Sequence, residues 1–173
     1  KRECPIEDYI AFELCEEAKY EYFAGTVVER SPHTIEHVRF MMKVFGSISN
    51  RLERKDYEVF LSGLRIKTPA AFPYRYPDVS VVRGAALVEN LLGQDMLVNP
   101  LVIVEFASPT TKGSENGERF IAYQSIESFQ EYLLVAQDSP HVTRYVRQPD
   151  NQWLRADFIG LESSVELKSL GVT

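Results

Sequence analysis

The chain of 173 residues predicts a mixed fold of class α+β or α/β, whose core is a helix, a three-stranded meander, a second helix and a strand. Three observations predict it. Apolar residues recur at three- and four-residue steps from Ile35 to Leu52, as in an amphipathic helix. After Asp56 the apolar period changes to two, which is typical of strands. Leu101–Val104 is an unbroken apolar run, as in a buried strand.

Three elements are predicted before the meander, namely a helix over residues 5–19, a hairpin over Tyr20–Glu29 and a long helix that ends near residue 54. Ala24 and Gly25 supply the turn of the hairpin. Ser31 is suited to be the N-cap of the long helix, and Pro32 to be its first residue.

The meander is predicted to consist of one strand over residues 57–67 with a kink at Gly63, a second over Tyr76–Val82 and a third over residues 101–106. Pro69–Pro73 makes the first connection, and a loop that contains Gly84 and Gly93 makes the second.

The remaining elements are predicted to be a helix over Glu115–Ile126, a strand over Tyr132–Val135 and a hairpin formed by His141–Arg147 and Gln152–Phe158. The hairpins therefore lie at both ends of the core. No repeat or linker interrupts the chain, so residues 1–173 are expected to form a single domain.

Composition is ordinary for a soluble globular protein, with 45% hydrophobic and 25% charged residues. No apolar stretch approaches the length of a membrane span. The two cysteines are too few for a disulfide framework, so a cytoplasmic location is expected. The net charge of −6 offers no global attraction for nucleic acid, although local patches could still contact phosphates.

The most informative residues are Asp78 and Glu105, which closes the apolar run of the third strand. Burying a carboxylate is costly unless a partner or a metal satisfies it. If the two segments pair as neighbouring strands, the carboxylates lie side by side and could bind a hard divalent cation. The alternative is a strand-end carboxylate held by an arginine or by backbone N–H groups.

An ordered set of short motifs accompanies this pair. The motifs are Tyr20-Glu21-Tyr22 with Gly25, His37, Tyr76-Pro77-Asp78-Val79, Asn99-Pro100, Val104-Glu105 with Ser108-Pro109-Thr110, Gly117-Glu118-Arg119-Phe120 with Tyr123, and Gln130-Glu131-Tyr132-Leu133. With this order of elements, the chain resembles the PD-(D/E)XK nuclease superfamily and, more closely, its Uma-two family of restriction endonuclease-like proteins. The resemblance covers nearly the whole chain and implies a restriction-endonuclease-like core.

The resemblance also implies a magnesium site. In such nucleases the aspartate and the glutamate bind Mg²⁺ with help from a backbone carbonyl, which correspond here to Asp78, Glu105 and the carbonyl of Phe106. Mn²⁺ could substitute. The metal would lower the pKa of a bound water and neutralise charge on the scissile phosphate.

The chain departs from the family pattern at the lysine. The position two residues after the acid is Ala107, and the Gly-Glu-Lys motif of the following helix ends here in Arg119. Arginine keeps the positive charge and can brace a phosphate, but it cannot act as a base. Lys112 could substitute, although an exposed loop lysine is the favoured interpretation.

Three further side chains are candidates for supporting roles. His37 lies at the edge of the apolar helix face and could orient a water or contact phosphate, or could simply be hydrogen-bonded to a neighbour. Tyr123 follows Arg119 by one turn and could hold Arg119 or Glu105 in place, or could be a packing tyrosine. Glu21 could reach the edge of the site, but pairing with an arginine is favoured.

Two functions follow as hypotheses. The first is a magnesium-dependent endonuclease acting on nucleic acid, with DNA favoured, in which Arg119 stabilises transition-state charge. The second is a catalytically impaired homologue that serves as a nucleic-acid- or protein-binding module, which the substitution of arginine for lysine favours. Cleavage of another phosphodiester stays open. Similar nucleases lead us to expect a homodimer.

Overall fold

The computed structural model describes residues 4–16, 18–23, 25–29, 34–69, 74–107 and 114–173. Within them the helices are α1 (Ile6–Cys15), α2 (Ile35–Leu52) and α3 (Ser114–Gln124). The strands are β1 (Tyr20–Phe23), β2 (Thr26–Glu29), β3 (Tyr57–Leu61), β4 (Arg65–Lys67), β5 (Tyr74–Arg75), β6 (Val79–Arg83), β7 (Val88–Leu91), β8 (Gln94–Leu97), β9 (Val102–Ala107), β10 (Glu131–Ala136), β11 (His141–Arg147) and β12 (Trp153–Ile159).

The main sheet has the strand order β12-β11-β10-β9-β6-β3. Strand β10 runs parallel to β9, and every other neighbouring pair in this sheet is antiparallel. Together with α2 and α3, strands β3, β6, β9 and β10 form the predicted core of helix, meander, helix and strand. The predicted fold class is therefore confirmed, including the terminal hairpins β1–β2 and β11–β12.

Helices cover both faces of the main sheet because successive residues of a strand point to opposite faces. On one face, Met41 and Ile48 of α2 cluster with Val104 and its neighbours. On the other face, Tyr123 of α3 clusters with Ile103. Glu105 shares the side of Ile103, so its carboxylate points towards α3.

A second sheet has the strand order β2-β1-β5-β4-β8-β7. Helix α1 packs on it through Tyr9 and Ile10, which cluster with Tyr22 of β1 and Met96 of β8. This sheet carries the N-terminal hairpin close to the main sheet and so contributes side chains to the site described below.

The predicted meander is wrong in three details. Gly63 does not kink one strand but separates β3 from β4, which lie in different sheets. Its φ of +131° is a conformation that other residues rarely adopt, and the chain changes direction there. The second strand begins at Val79, three residues later than predicted. The hairpin β7–β8 lies within the segment that was predicted to be a loop. It was not predicted because β7 is mostly exposed and lacks the alternation of apolar residues that indicates a strand.

The helix ends also differ from the predictions. Helix α2 begins at Ile35 with Thr34 as its N-cap, whose side chain accepts a hydrogen bond from the backbone N–H of His37 at 3.2 Å. The predicted N-cap Ser31 and the following Pro32 lie outside the described residues, as does Lys112. Helix α1 ends at Cys15, four residues before the predicted end.

The sequence predicts no membrane-spanning helix. Among the described residues, no helix combines the length and the apolar character that crossing a membrane requires.

Candidate active site

The pairing of β6 with β9 brings Asp78 and Glu105 together. Val79 pairs with Val104 in an antiparallel register, so the next residues outward, Asp78 and Glu105, lie opposite each other. The backbone N–H of Phe106 donates to Asp78 Oδ2 at 2.8 Å. Both residues are only 2% exposed. Two adjacent carboxylates buried to this degree need compensating partners.

Asp78 has its partners on the side of α2. His37 Nε2 lies 3.1 Å from Asp78 Oδ1, and the imidazole packs edge-on against Phe106 with ring centroids 5.6 Å apart. The other ring nitrogen of His37 lies 3.0 Å from Gln137 Nε2. Gln137 Nε2 also donates to the carbonyl oxygen of Phe106 at 3.4 Å. The structure therefore brings the predicted His37 to Asp78, and it adds Gln137.

Glu105 has its partners on α3. The Tyr123 hydroxyl donates to Glu105 Oε1 at 2.9 Å, and Arg119 Nη1 donates to Glu105 Oε2 at 2.9 Å. Burial raises the pKa of Glu105, and the positive charge of Arg119 opposes that shift. Burial, followed by the charge of Glu105, raises the pKa of Tyr123 well above its ordinary value, so the phenol stays a donor. Tyr123 thus orients the carboxylate, as one of its predicted roles requires.

Arg119 also extends the site towards the second sheet. Its Nη2 donates to Glu21 Oε2 at 3.1 Å, and Arg75 Nη1 donates to the same oxygen at 3.0 Å. The negative charge of Glu105 raises the pKa of Arg119, so the guanidinium is permanently charged. The predicted pairing of Glu21 with an arginine is confirmed, and Glu21 reaches the edge of the site as well.

This network includes buried polar atoms that are unsatisfied. Among the described residues, Glu21 Oε1 and Arg119 Nε are buried and have no hydrogen-bond partner. Buried polar groups are nearly always paired, with protein or with ordered water. Spare hydrogen-bonding capacity next to Glu105 is what a site that receives a polar ligand would have.

The chemistry of the donor set fits a hard cation. Asp78, Glu105 and the Phe106 carbonyl offer only oxygen, which Mg²⁺ prefers. Across the described part of the chain, no three His, Cys, Asp or Glu side chains are grouped so that they could hold a metal ion. A cation here would therefore depend on two carboxylates, a carbonyl and water. The metal and the predicted catalytic roles stay predictions.

Two residues of the site were not predicted from the sequence. Arg75 comes just before the Tyr-Pro-Asp motif, and Gln137 comes just after β10. A signal for Gln137 exists, since polar residues at the carboxyl ends of parallel strands often lie at a binding site. No signal predicts Arg75, because only the second sheet brings it to Glu21.

Comparisons with known proteins agree with this architecture. Two uncharacterized proteins of Synechocystis sp. are similar: sll1609 is 26% identical over 95% of this chain and 93% of its own length, and slr1290 is 28% identical over 96% and 86%. The crystal structure of "a putative nuclease belonging to DUF820" from Anabaena variabilis superimposes with a TM-score of 0.73 at 18% identity, over 90% of this chain and 85% of that one. It shares the fold. The model of the Uma2 family, described as "Putative restriction endonuclease", matches residues 6–172, so the chain belongs to that family.

Proposed function

We propose that this protein is a metal-dependent endonuclease that hydrolyses phosphodiester bonds of DNA, with Mg²⁺ as its cofactor and Mn²⁺ as a substitute. The observation that carries the proposal is the pair of carboxylates Asp78 and Glu105, almost fully buried at the ends of adjacent strands. Membership of the family described as "Putative restriction endonuclease" supports the reaction class.

The charges around the pair support a bound cation. Among the described residues, the cluster contains three buried carboxylates, on Glu21, Asp78 and Glu105, and two guanidinium groups, on the buried Arg75 and the half-buried Arg119. With all five ionised, the cluster carries one excess negative charge in a region of low dielectric. A phosphate diester would increase this excess, whereas a divalent cation would reverse it.

Each residue then has a chemical task. Asp78, Glu105 and the Phe106 carbonyl would hold the metal, which supplies an activated water and neutralises phosphate charge. Tyr123 keeps the Glu105 carboxylate in one orientation through its 2.9 Å hydrogen bond. His37 does the same for Asp78. Arg119 holds a permanent positive charge beside Glu105, where it can stabilise charge that develops on the phosphate.

A second candidate function is a binding module that does not cleave. The observation that favours it is the engagement of Arg119, whose guanidinium is shared between Glu105 and Glu21. An arginine held by two carboxylates is less available to a phosphate than a free lysine would be. In this alternative the site could still bind a metal or nucleic acid.

The first experiment is calorimetric titration of Mg²⁺ and Mn²⁺ into the wild type and Asp78→Ala. We expect binding to the wild type alone. Absence of binding to both proteins would contradict the metallonuclease at its first step.

The second experiment is cleavage of plasmid and of single-stranded DNA with Mn²⁺ by the wild type, Glu105→Ala and Arg119→Lys. Loss of cleavage in Glu105→Ala and a gain in Arg119→Lys would indicate a nuclease that the arginine weakens. Metal binding without cleavage by any variant would favour the binding module.

A further inference from the structure

We propose that Gln137 is a positioning residue of this site, which donates a hydrogen bond to His37 Nδ1 and thereby holds the ring in contact with Asp78, whose carboxylate accepts from the other ring nitrogen. Its consequence for catalysis rests on the proposed nuclease function. Gln137 follows β10, whose parallel pairing with β9 places the Gln137 backbone N–H 3.2 Å from the Ala107 carbonyl. The half-buried side chain therefore lies beside Phe106.

The Phe106 carbonyl fixes the orientation of the Gln137 amide. Gln137 Nε2 lies 3.4 Å from the Phe106 oxygen and 3.0 Å from His37 Nδ1. A carbonyl oxygen only accepts hydrogen bonds, so the amide nitrogen, and not the amide oxygen, must face Phe106. An amide nitrogen only donates, so His37 Nδ1 must accept and cannot carry a proton.

The proton of the neutral imidazole is then on Nε2, since the hydrogen bond made by one ring nitrogen determines the state of the other. This N–H points at Asp78 Oδ1, 3.1 Å away, while Asp78 Oδ2 accepts from the Phe106 N–H. The opposite tautomer would place two donors together at Gln137. It would also place a lone pair of His37 against the carboxylate of Asp78.

One amide thus acts on two groups of the candidate metal site. It orients Asp78 through His37, and it contacts the Phe106 carbonyl directly. Removal of comparable outer partners of metal ligands reduces metal affinity or activity by about 10- to 100-fold. Replacing a glutamine that made no hydrogen bond to His37 would leave the Nδ1 signal unchanged.

The test is ¹⁵N NMR of the full chain labelled at histidine. The chain has only three histidines, and His37→Asn identifies the signals of His37. Wild type is compared with Gln137→Met, which keeps the length but removes the amide. The control is Gln130→Met before β10, because the Gln130 amide contacts only the exposed Glu127 carbonyl among the described residues.

In the wild type and the control, we expect the ¹⁵N shifts of an unprotonated Nδ1 and a protonated Nε2. In Gln137→Met, Asp78 still accepts from Nε2–H, so we expect the tautomer to persist and the Nδ1 signal to move to the ¹⁵N shift of a nitrogen that accepts no hydrogen bond. If Gln137→Met does not fold, Gln137→Glu replaces it, because its carboxylate offers only acceptors and cannot donate to an unprotonated Nδ1, so the Nδ1 signal must change. A wild-type His37 protonated on Nδ1, or shifts unchanged in the folded variant, would overturn the proposal.

Cleavage kinetics provide a separate readout. With Mn²⁺ we expect Gln137→Met to lower kcat by about 10- to 100-fold, with a smaller change in KM. If the wild type cleaves nothing, the proposed nuclease function fails, and the ¹⁵N measurement still decides the role of Gln137.

Discussion

Arg119 shows how one residue changes the character of the site. The Uma-two resemblance leads us to expect a lysine there, which would present a compact charge on a flexible stem. The guanidinium instead spans Glu105 and Glu21, which belong to different sheets. Arg119 is therefore a structural cross-link as well as a charge beside the candidate active centre.

Replacement of Arg119 by methionine is predicted to destabilise the fold. Removing one partner of a buried ion pair leaves an uncompensated charge, which costs about 3 kcal/mol. Urea denaturation measures the change in the free energy of unfolding. The control is Arg155→Met, because Arg155 pairs with Asp157 on an exposed surface, where the pair contributes little. Equal effects of the two substitutions would contradict the cross-linking role.

Tyr123 and Tyr132 provide a matched comparison within one aromatic cluster. Both are almost fully buried, but the Tyr123 hydroxyl donates to Glu105, whereas the Tyr132 hydroxyl has no hydrogen-bond partner among the described residues. Tyr123→Phe is predicted to cost about 1.5 kcal/mol of unfolding free energy, since a hydrogen bond to a carboxylate is lost. Tyr132→Phe is predicted to be neutral or stabilising. Denaturant curves would contradict this interpretation if Tyr132→Phe were the more damaging change.

At the scale of elements, strong periodicity was predictable and sheet membership was not. The amphipathic pattern of α2 and the apolar run of β9 depend on local burial, so the sequence alone predicts both. Strands β4, β5, β7 and β8 are short, and their pairing in a second sheet depends on distant partners. Asp78 and Glu105 could be predicted as neighbours on the condition that their strands pair, and His37 as a candidate site residue, whereas Gln137 required the parallel alignment of β9 with β10.

Strand β10 also anchors the C-terminal segment. Glu131 is fully buried at its start, and its carboxylate accepts hydrogen bonds from the backbone N–H groups of Lys168 and Ser169 at 3.1 and 2.8 Å. Leu167 and Leu170 of that segment pack in the core beside α2. The charge of one buried carboxylate thus depends on backbone groups contributed by the end of the chain.

This arrangement predicts a pH effect. Burial raises the pKa of Glu131, and the hydrogen bonds from Ser169 and Lys168 only partly oppose the shift. Between the ordinary glutamate pKa of about 4.3 and the higher folded value, the folded state binds more protons than the unfolded state. The contribution of Glu131 is therefore present below that window and is lost as the pH rises through it.

Glu131→Gln tests this effect because glutamine does not titrate. Whatever its overall stability, the variant is expected to gain stability relative to the wild type as the pH rises from about 4 towards neutrality. Urea unfolding at a series of pH values measures the difference in slope. Parallel curves for the two proteins would contradict a raised pKa for Glu131.

For the whole molecule, the candidate site is the place where the two sheets meet. The main sheet supplies Asp78 and Glu105, whereas Glu21 and Arg75 come from β1 and β5 of the second sheet. Helix α2 supplies His37 and α3 supplies Arg119. The excess negative charge of this cluster is a cost of folding that any cation bound to the folded state would relieve.

Divalent metal is therefore predicted to stabilise the folded protein as a whole. A ligand that binds only the folded state at 100 times its Kd adds about 2.7 kcal/mol to the free energy of unfolding. We expect Mn²⁺ to produce this gain in the wild type and only a small part of it in Asp78→Ala. Chemical denaturation with and without metal measures both gains. The surface variant Asp157→Asn should keep the full gain. Asp157 lies on the edge strand β12, which three other strands separate from β6. Equal stabilisation of Asp78→Ala and the wild type would place the cation elsewhere on the molecule and remove the main support for a metal-dependent reaction at this site.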